Sequence, residues 1–124
     1  MQIVRLFATF GLALTLATSL FAQDAVTKSK ELVKEKKYDE AIKLLEDSYA
    51  KAKTPAVKQA LAETHLANGN FFMYNDSLPP FQKYPNALRQ FRKALEYDKE
   101  NKKAQANIAT IEGIYKSMGR PVPQ

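Results

Sequence analysis

The stretch KYPNALRQFRKALEYDKEN at residues 83–101 repeats the pattern of an earlier stretch, KYDEAIKLLEDSYAKAKTP at residues 37–55. Each begins with Lys-Tyr, places an alanine three residues after the tyrosine, and follows that alanine at once with Ile or Leu. Large apolar residues then recur at the three- and four-residue spacing that lines one face of a helix. The sequence therefore predicts an internal repeat built from helices.

The first 22 residues have the composition of a secretory leader. A single cation, Arg5, precedes an apolar run that ends near Ala17, and Thr-Ser-Leu-Phe-Ala follows up to Ala22, with Leu20 where a smaller residue is preferred. This order is the plan of a signal peptide, which predicts cleavage after Ala22 and export to the periplasm or the medium. An uncleaved membrane anchor is the alternative. It would need about 20 apolar residues, and this run is shorter and is interrupted by threonines.

The composition of the 124-residue chain narrows the class of protein. There is no cysteine, so the exported domain has no disulfide and depends on packing for its stability. The chain that follows the leader is long enough for one domain with one core, and no stable insertion into a membrane is expected of it. The net charge is +6, and its lysines are spread along the chain, which is typical of a solvated surface.

Helical periodicity runs from Ala25 to Met118, and no segment alternates as a strand would. The predicted fold class is therefore all-α. Pro55 and Pro85 indicate helix starts because proline is tolerated in the first turn, and Gly119 indicates a stop. The predicted elements are helices at about 25–36, 38–53, 55–75, 85–98 and 102–118 within a domain at 23–119, an inserted loop at 75–84, and an extended tail at 120–124.

The helix pairs resemble the tetratricopeptide repeat, a helix–turn–helix unit of about 34 residues. In the second copy the second-helix signature falls on Tyr84, Ala87, Leu88, Phe91, Ala94 and Leu95, and the first-helix signature on Asn68, Gly69, Asn70, Phe71 and Phe72. The first copy matches through Tyr38, Ala41, Ile42, Leu45 and Tyr49. The departures from the family pattern are Asn68 for leucine, Ser48 for alanine and Ser29 for glycine.

This resemblance implies a solenoid of about two repeats, closed by a capping helix at residues 102–118. Small residues let two antiparallel helices approach, and the units stack because one pair cannot bury its apolar face alone. The resemblance also implies a protein-interaction module without naming its partner. The concave face of such an array is lined by the first helix of each unit, and its side chains could hold an extended peptide through the peptide's backbone and carboxylates. The predicted groove residues are Lys30, Lys34, His65, Asn70, Tyr74, Lys103, Asn107 and Thr110.

The inserted loop at residues 75–84 is a second candidate site, because loops inserted between repeat helices often carry recognition. Its candidate residues are Leu78, Pro79, Pro80 and Phe81. The alternative is that the loop only packs, with Phe81 tucked back over the helix ends. The four bulky residues at 71–74 cannot all face one core stripe, and we expect Pro79, Pro80 and Phe81 to cover the remainder.

Residues suited to catalysis are few. His65 is the only histidine, there is no cysteine, and no nucleophile motif, phosphate loop or metal-ligand spacing is found. We therefore expect no enzymatic activity and no cofactor, and export argues against a nucleic-acid partner. The predicted function is an exported interaction module, monomeric or weakly self-associating, that binds a segment of another envelope or secreted protein. The alternative is a basic structural or adaptor protein that associates with an anionic envelope polymer or with lipid headgroups.

Overall fold

The computed structural model describes the backbone of residues 2–124 and the side chains of residues 17–124. This part of the chain is all-α, as predicted, with helices and no strands. The helices are α1 (Gln2–Lys34), α2 (Tyr38–Lys51), α3 (Pro55–Met73), α4 (Pro80–Tyr97) and α5 (Lys102–Ser117). Among the described residues, none of these helices combines the length and the apolar character that crossing a bilayer requires. For residues 1–16 of the predicted leader, the structure describes no side chains.

Consecutive helices pack against each other along the whole chain, and α1 also packs on α3. Short turns separate most of them, so each helix doubles back on the one before it and forms a helical hairpin. The arrangement is that of a helical repeat: α1 and α2 form one hairpin, α3 and α4 form the next, and α5 closes the array on α4. This architecture places α1 and α3 side by side, so that the two helices share one surface of the array.

The core consists of two apolar clusters, one where α1 and α2 meet the first part of α3, and one where the end of α3 meets α4 and α5. The first surrounds Leu45 and Leu61, and the second surrounds Phe91 and Ile111, all of them fully buried. The signature alanines are also fully buried. Burial of small and large residues at alternate signature positions is the packing that the sequence pattern predicts, because the small side chains make room for the large ones.

Helices α3 and α4 approach each other closely at Gly69. A Cβ atom placed on Gly69 would lie 2.5 Å from Cε1 of Phe91, and the Phe91 ring itself is 0% exposed. A carbon–carbon contact normally requires about 3.5–4.0 Å. Only glycine therefore fits at position 69 with the Phe91 ring in this place, which explains why a residue of poor helix propensity stands inside α3.

The predicted start of the fourth helix was wrong. Helix α4 begins at Pro80 and includes Pro85, so the connection between α3 and α4 covers residues 74–79 and not 75–84. Pro79 is extended, with φ −69° and ψ 155°, and its carbonyl accepts the N–H groups of Gln82 and Lys83 at 3.0 Å. These bonds close the first turn before Pro85 is reached. Pro85 then removes one helical hydrogen bond without ending the helix.

The other predicted bounds differ by one or two residues, except at the first helix. Helix α2 ends at Lys51 because Ala52 is extended and Thr54 caps α3, its hydroxyl accepting the N–H of Val57 at 3.3 Å. Helix α1 does not begin near residue 25 but runs unbroken from Gln2. Ala22, the last residue of the predicted leader, is only 5% exposed and belongs to the cluster around Leu45.

The C-terminal tail has no regular structure, as predicted, but it is not free of the domain. Gly119 has the left-handed φ of +66° expected of a helix stop, and the N–H of Arg120 donates to the carbonyl of Tyr115 at 3.0 Å. This hydrogen bond satisfies one of the last carbonyls of α5. Val122 then packs on the second cluster, so the tail contributes apolar contact to the end of the array.

We predict that Gly69→Ala destabilises the protein, whereas Gly113→Ala stabilises it. Both substitutions gain about 1 kcal/mol of helix propensity. At position 69 the new methyl group meets Phe91, and overpacking of this kind costs about 1–3 kcal/mol; at Gly113 a Cβ meets nothing within 4 Å. Urea unfolding of the two variants measures the difference. Equal stability of the two variants would contradict the close approach of α3 and α4.

Candidate functional site

A recess of about 290 Å³ lies between α1 and α3. Two residues of the predicted groove, Lys30 and Lys34, line it. The full lining is Ser29, Lys30, Val33 and Lys34 from α1, and Ala60, Glu63 and Thr64 from α3. The other predicted groove residues do not line it, and the α3 residues that do were not predicted.

The floor of the recess is made of small side chains. Ser29, Ala60 and Thr64 are at most 4% exposed, and their small size leaves space above them. Both hydroxyls are satisfied by their own helices: Ser29 donates to the carbonyl of Val26 and Thr64 to that of Ala60, each at 2.7 Å. The floor therefore presents mainly aliphatic surface to anything that enters, because its polar hydrogens are already bonded.

The rim of the recess is charged and predominantly basic. Lys30, Lys34 and Glu63 are exposed. Glu63 accepts a hydrogen bond from Nε2 of Gln59 at 3.1 Å, whereas neither lysine forms an ion pair within residues 17–124, where the paired lysines are all others. Lys30 and Lys34 stand four residues apart on one helix face, where like charges repel each other. An anionic group between them would relieve that repulsion.

Farther along the same side of the array, an amide pair connects α3 to α5. Nδ2 of Asn107 donates to Oδ1 of Asn70 at 2.9 Å. Within the described side chains, the Asn70 amide nitrogen and the Asn107 oxygen form no hydrogen bond, so the two N–H groups of the one and the acceptor of the other remain available. Lys103 and Thr110 are exposed on α5, and the Thr110 hydroxyl donates to the carbonyl of Ala106 at 3.0 Å.

His65 does not belong to the groove, contrary to the prediction. Its side chain is 4% exposed and lies in the interface between α3 and α4, with Nδ1 2.8 Å from Oε1 of Gln90. The ring stacks on Tyr97 with a centroid separation of 5.8 Å and an interplanar angle of 7°. The predicted orientation of α3 was wrong at this residue. The rotation of a helix about its own axis depends on the helix that packs against it, and periodicity alone does not specify that neighbour.

The surroundings of His65 favour its neutral form. Burial lowers the pKa of the ring below its ordinary value of 6.5, and Lys93 lowers it further. The hydrogen bond to Gln90 and the charges of Glu46 and Glu96 act in the opposite direction, but the effect of burial is larger. Because the oxygen of Gln90 can only accept, the proton is assigned to Nδ1. Nε2 is then a buried acceptor without a hydrogen bond in the described part of the protein.

The second predicted site, the loop after α3, is exposed rather than packed. Phe81 is 71% exposed and Tyr74 is 68% exposed, so the expected cover of the aromatic run by Pro79, Pro80 and Phe81 is wrong. Phe71 instead contacts Tyr38, with a centroid separation of 5.4 Å. Since α4 starts at Pro80, Phe81 is held in its first turn, away from these rings. Leu78 and Pro79 are half-buried.

A larger recess, of about 390 Å³, lies between α2 and the middle of α1, at residues 18–25. It is lined by Phe21, Ala22 and Ala25 on one side and by Leu44 and Ser48 on the other, with further polar residues at its edge. Sequence reasoning missed it because residues before 23 were assigned to the leader and set apart from the domain. The signal that could have found it is the continuation of the helical period from Ala22 to Ala25 and Ser29.

Comparison of the chain with protein-family models, with curated proteins and with solved structures gave no match. The resemblance to the tetratricopeptide repeat therefore depends on the signature residues and their packing alone. Within the described residues, no group of three or more acidic, histidine or cysteine side chains is placed to hold a metal ion.

We predict that the protein loses stability between pH 7 and pH 5.5, and that His65→Gln reduces this loss. The ring has a lower pKa when folded than when unfolded, so the unfolded chain binds a proton first as the pH falls. The stability contributed by neutral His65 is thus complete above the unfolded pKa of about 6.5 and is lost below it. Urea midpoints at three pH values measure the effect.

The matched variant is Gln90→Glu. A carboxylate in place of the amide would favour the charged ring, and its pH dependence should therefore be weaker than that of the parent or opposite in sign. A parent protein with the same urea midpoint at pH 7 and pH 5.5 would show that the ring is not held neutral.

Proposed function

We propose that this chain is an exported protein-interaction module of the tetratricopeptide type, which binds an extended acidic segment of another envelope or secreted protein. The observation that carries the proposal is the recess between α1 and α3, where two lysines that form no ion pair with any described side chain stand over an aliphatic floor. The signature residues of the repeat support the family, and the leader-like N-terminus supports export.

The size of the recess favours a peptide over a folded partner. A volume of about 290 Å³ is at the low end for ligand sites, which is enough for one or two side chains. An extended peptide presents alternate side chains to the surface on which it lies and keeps its backbone amides free. The floor can take a small apolar side chain, and the unused donor and acceptor of the Asn70–Asn107 pair can meet the backbone.

The charge of the rim favours an acidic peptide. Hydrogen bonds from lysine to a carboxylate are shorter and about twice as strong as neutral ones. Lys30 and Lys34 both lie on the rim, so a carboxylate that binds there meets two cations at once. The net charge of +6 adds long-range attraction that accelerates the encounter.

The alternative proposal is a basic adaptor that associates with an anionic envelope polymer or with lipid headgroups. It is supported by the exposed lysines that lie outside the recess, such as Lys51, Lys58 and Lys99. Binding of this kind depends on charge density and not on one recess. It should therefore weaken strongly once added salt shortens the screening length below about 10 Å.

We predict that Lys30→Ala/Lys34→Ala weakens the binding of acidic peptides by about tenfold or more. The loss of one charged hydrogen bond costs about 1.5–3 kcal/mol, and each 1.4 kcal/mol is about a factor of ten in Kd. The probe is a pool of labelled peptides with two acidic residues flanking small apolar ones, compared with a pool in which Asn and Gln replace the acids. Fluorescence anisotropy at two salt concentrations gives the affinities.

The matched control is Lys99→Ala/Lys116→Ala, which removes the same charge from exposed positions outside the recess. This control should bind the acidic pool as the parent does. If both pairs weaken binding equally, and salt abolishes it, then the basic-adaptor proposal is the better one and the recess is not the site.

We also predict that exported protein begins at Gln23. Intact-mass measurement of the protein recovered from outside the cytoplasm would show the loss of residues 1–22. A chain that still begins at Met1 and sediments with membranes would instead show that the N-terminus is retained as an anchor.

A further inference from the structure

The bond between Ala22 and Gln23, at which the leader is predicted to end, lies inside a continuous helix. The residues that follow it are held in that helix by local contacts. The hydroxyl of Thr27 donates to the carbonyl oxygen of Gln23 at 3.0 Å, and Lys28 pairs with Asp24 at 3.3 Å. Peptidases bind their substrates as extended strands, so several residues on both sides of the bond would have to leave the helix before cleavage.

The side chain before the bond is also part of the core. Ala22 is 5% exposed and lies in a cluster with Leu45, Val57, Ala60 and Leu61. Three helices meet at this cluster: Ala22 comes from α1, Leu45 from α2 and the others from α3. Removing Ala22 from it requires these helices to separate locally, which is a partial unfolding of the domain and not a fluctuation of a free end.

The neighbouring residues show that the hindrance is specific to the cleavage position. Leu20 and Phe21 are 66% and 73% exposed, so the side chains third and second before the bond face solvent. Leader peptidases select small residues at the first and third positions before the cut. In the folded chain the third position is accessible, whereas the first is withheld by packing.

We propose that folding of the domain and removal of the leader compete for the same residues, so that a leader peptidase cuts the Ala22–Gln23 bond only before α2 and α3 have packed on α1. This inference rests on the leader of the proposed exported module. A chain that folds first keeps its leader, of which residues 2–22 belong to α1, and a chain that is cut first folds without Ala22. The order of the two events therefore decides which of two forms accumulates.

The experiment compares two presentations of the full chain to a purified leader peptidase in detergent micelles. In the first, the chain is folded before the peptidase is added; in the second, it is diluted from urea directly into the peptidase. We expect the folded chain to be cut slowly. The diluted chain should give a rapid burst of product beginning at Gln23, followed by a resistant fraction that has folded.

Variants distinguish access of the peptidase to the Ala22–Gln23 bond from its recognition of the residues before that bond. Leu61→Ala removes a fully buried side chain from the Ala22 cluster, and it should speed the cutting of folded protein by about tenfold or more, because cleavage follows the open population. Lys58→Ala, exposed on the same helix, should not change the rate. Leu20→Ala improves the third position without disturbing the packed face, so it should enlarge the burst and leave the folded chain resistant.

Four results would overturn the inference, and they can be distinguished from one another. Folded and urea-diluted chains cut at the same rate, or a folded Leu20→Ala chain cut rapidly, would show that packing does not protect the bond, and export would stand. A diluted chain that is never cut would show that the leader itself was misidentified. Hydrogen exchange of the folded parent gives an independent readout: amides near Gln23 should be protected, and exchange at the rate of an unfolded chain would also overturn the inference.

Discussion

The contact between Gly69 and the ring of Phe91 sets the separation of α3 and α4, and the rest of the array depends on that separation. Because no Cβ intervenes, the ring lies directly on the α3 backbone and the two helices share a large buried surface. Helix α3 also packs on α1 and α2, and α4 on α5. A change in the spacing of this pair would therefore be transmitted to both ends of the array, since packed interiors do not deform freely.

The same principle acts in a weaker form on the opposite face of α3. There Ala60 and Thr64 meet Ser29 of α1, and small residues again permit a close approach of helices. In this case no large side chain fills the space, and a recess remains. Side-chain size thus has two consequences along one helix: next to Phe91 it produces a tight junction, and next to Lys30 and Lys34 it produces a site that a ligand could occupy.

The sequence was a good guide to the fold. The Tyr-x-x-Ala pattern, the Thr54 cap and the Gly119 stop each reflect local chemistry that acts within a few residues of chain, and the helices lie close to where those signals predict them. The exception is instructive: Pro80 and Pro85 are both compatible with a helix start, and the choice between them depends on whether Pro79 can close the first turn.

The candidate site was only partly predictable. Lys30 and Lys34, which the sequence placed on the exposed face of α1, do line the recess between α1 and α3. His65 was misplaced because the face that α3 turns toward α4 is decided by tertiary packing, with Gln90 and Tyr97 contributed from far along the chain. Phe81 was expected to cover the aromatic run, but Tyr38 already contacts Phe71 from another helix. In each case the missing information was a partner distant in sequence.

The amide pair of Asn70 and Asn107 holds two helices together and also offers polar groups to a bound peptide. This bond joins α3 to the closing helix α5, which otherwise packs mainly on α4. A bound backbone that displaced one amide from the other, instead of using only the groups that the pair leaves unbonded, would exchange one internal hydrogen bond for one external bond, with a net free-energy change near zero. The pair would thus add little to the affinity of a complex but would favour one register of the bound chain. Loss of the internal hydrogen bond would also allow α5 to move relative to α3.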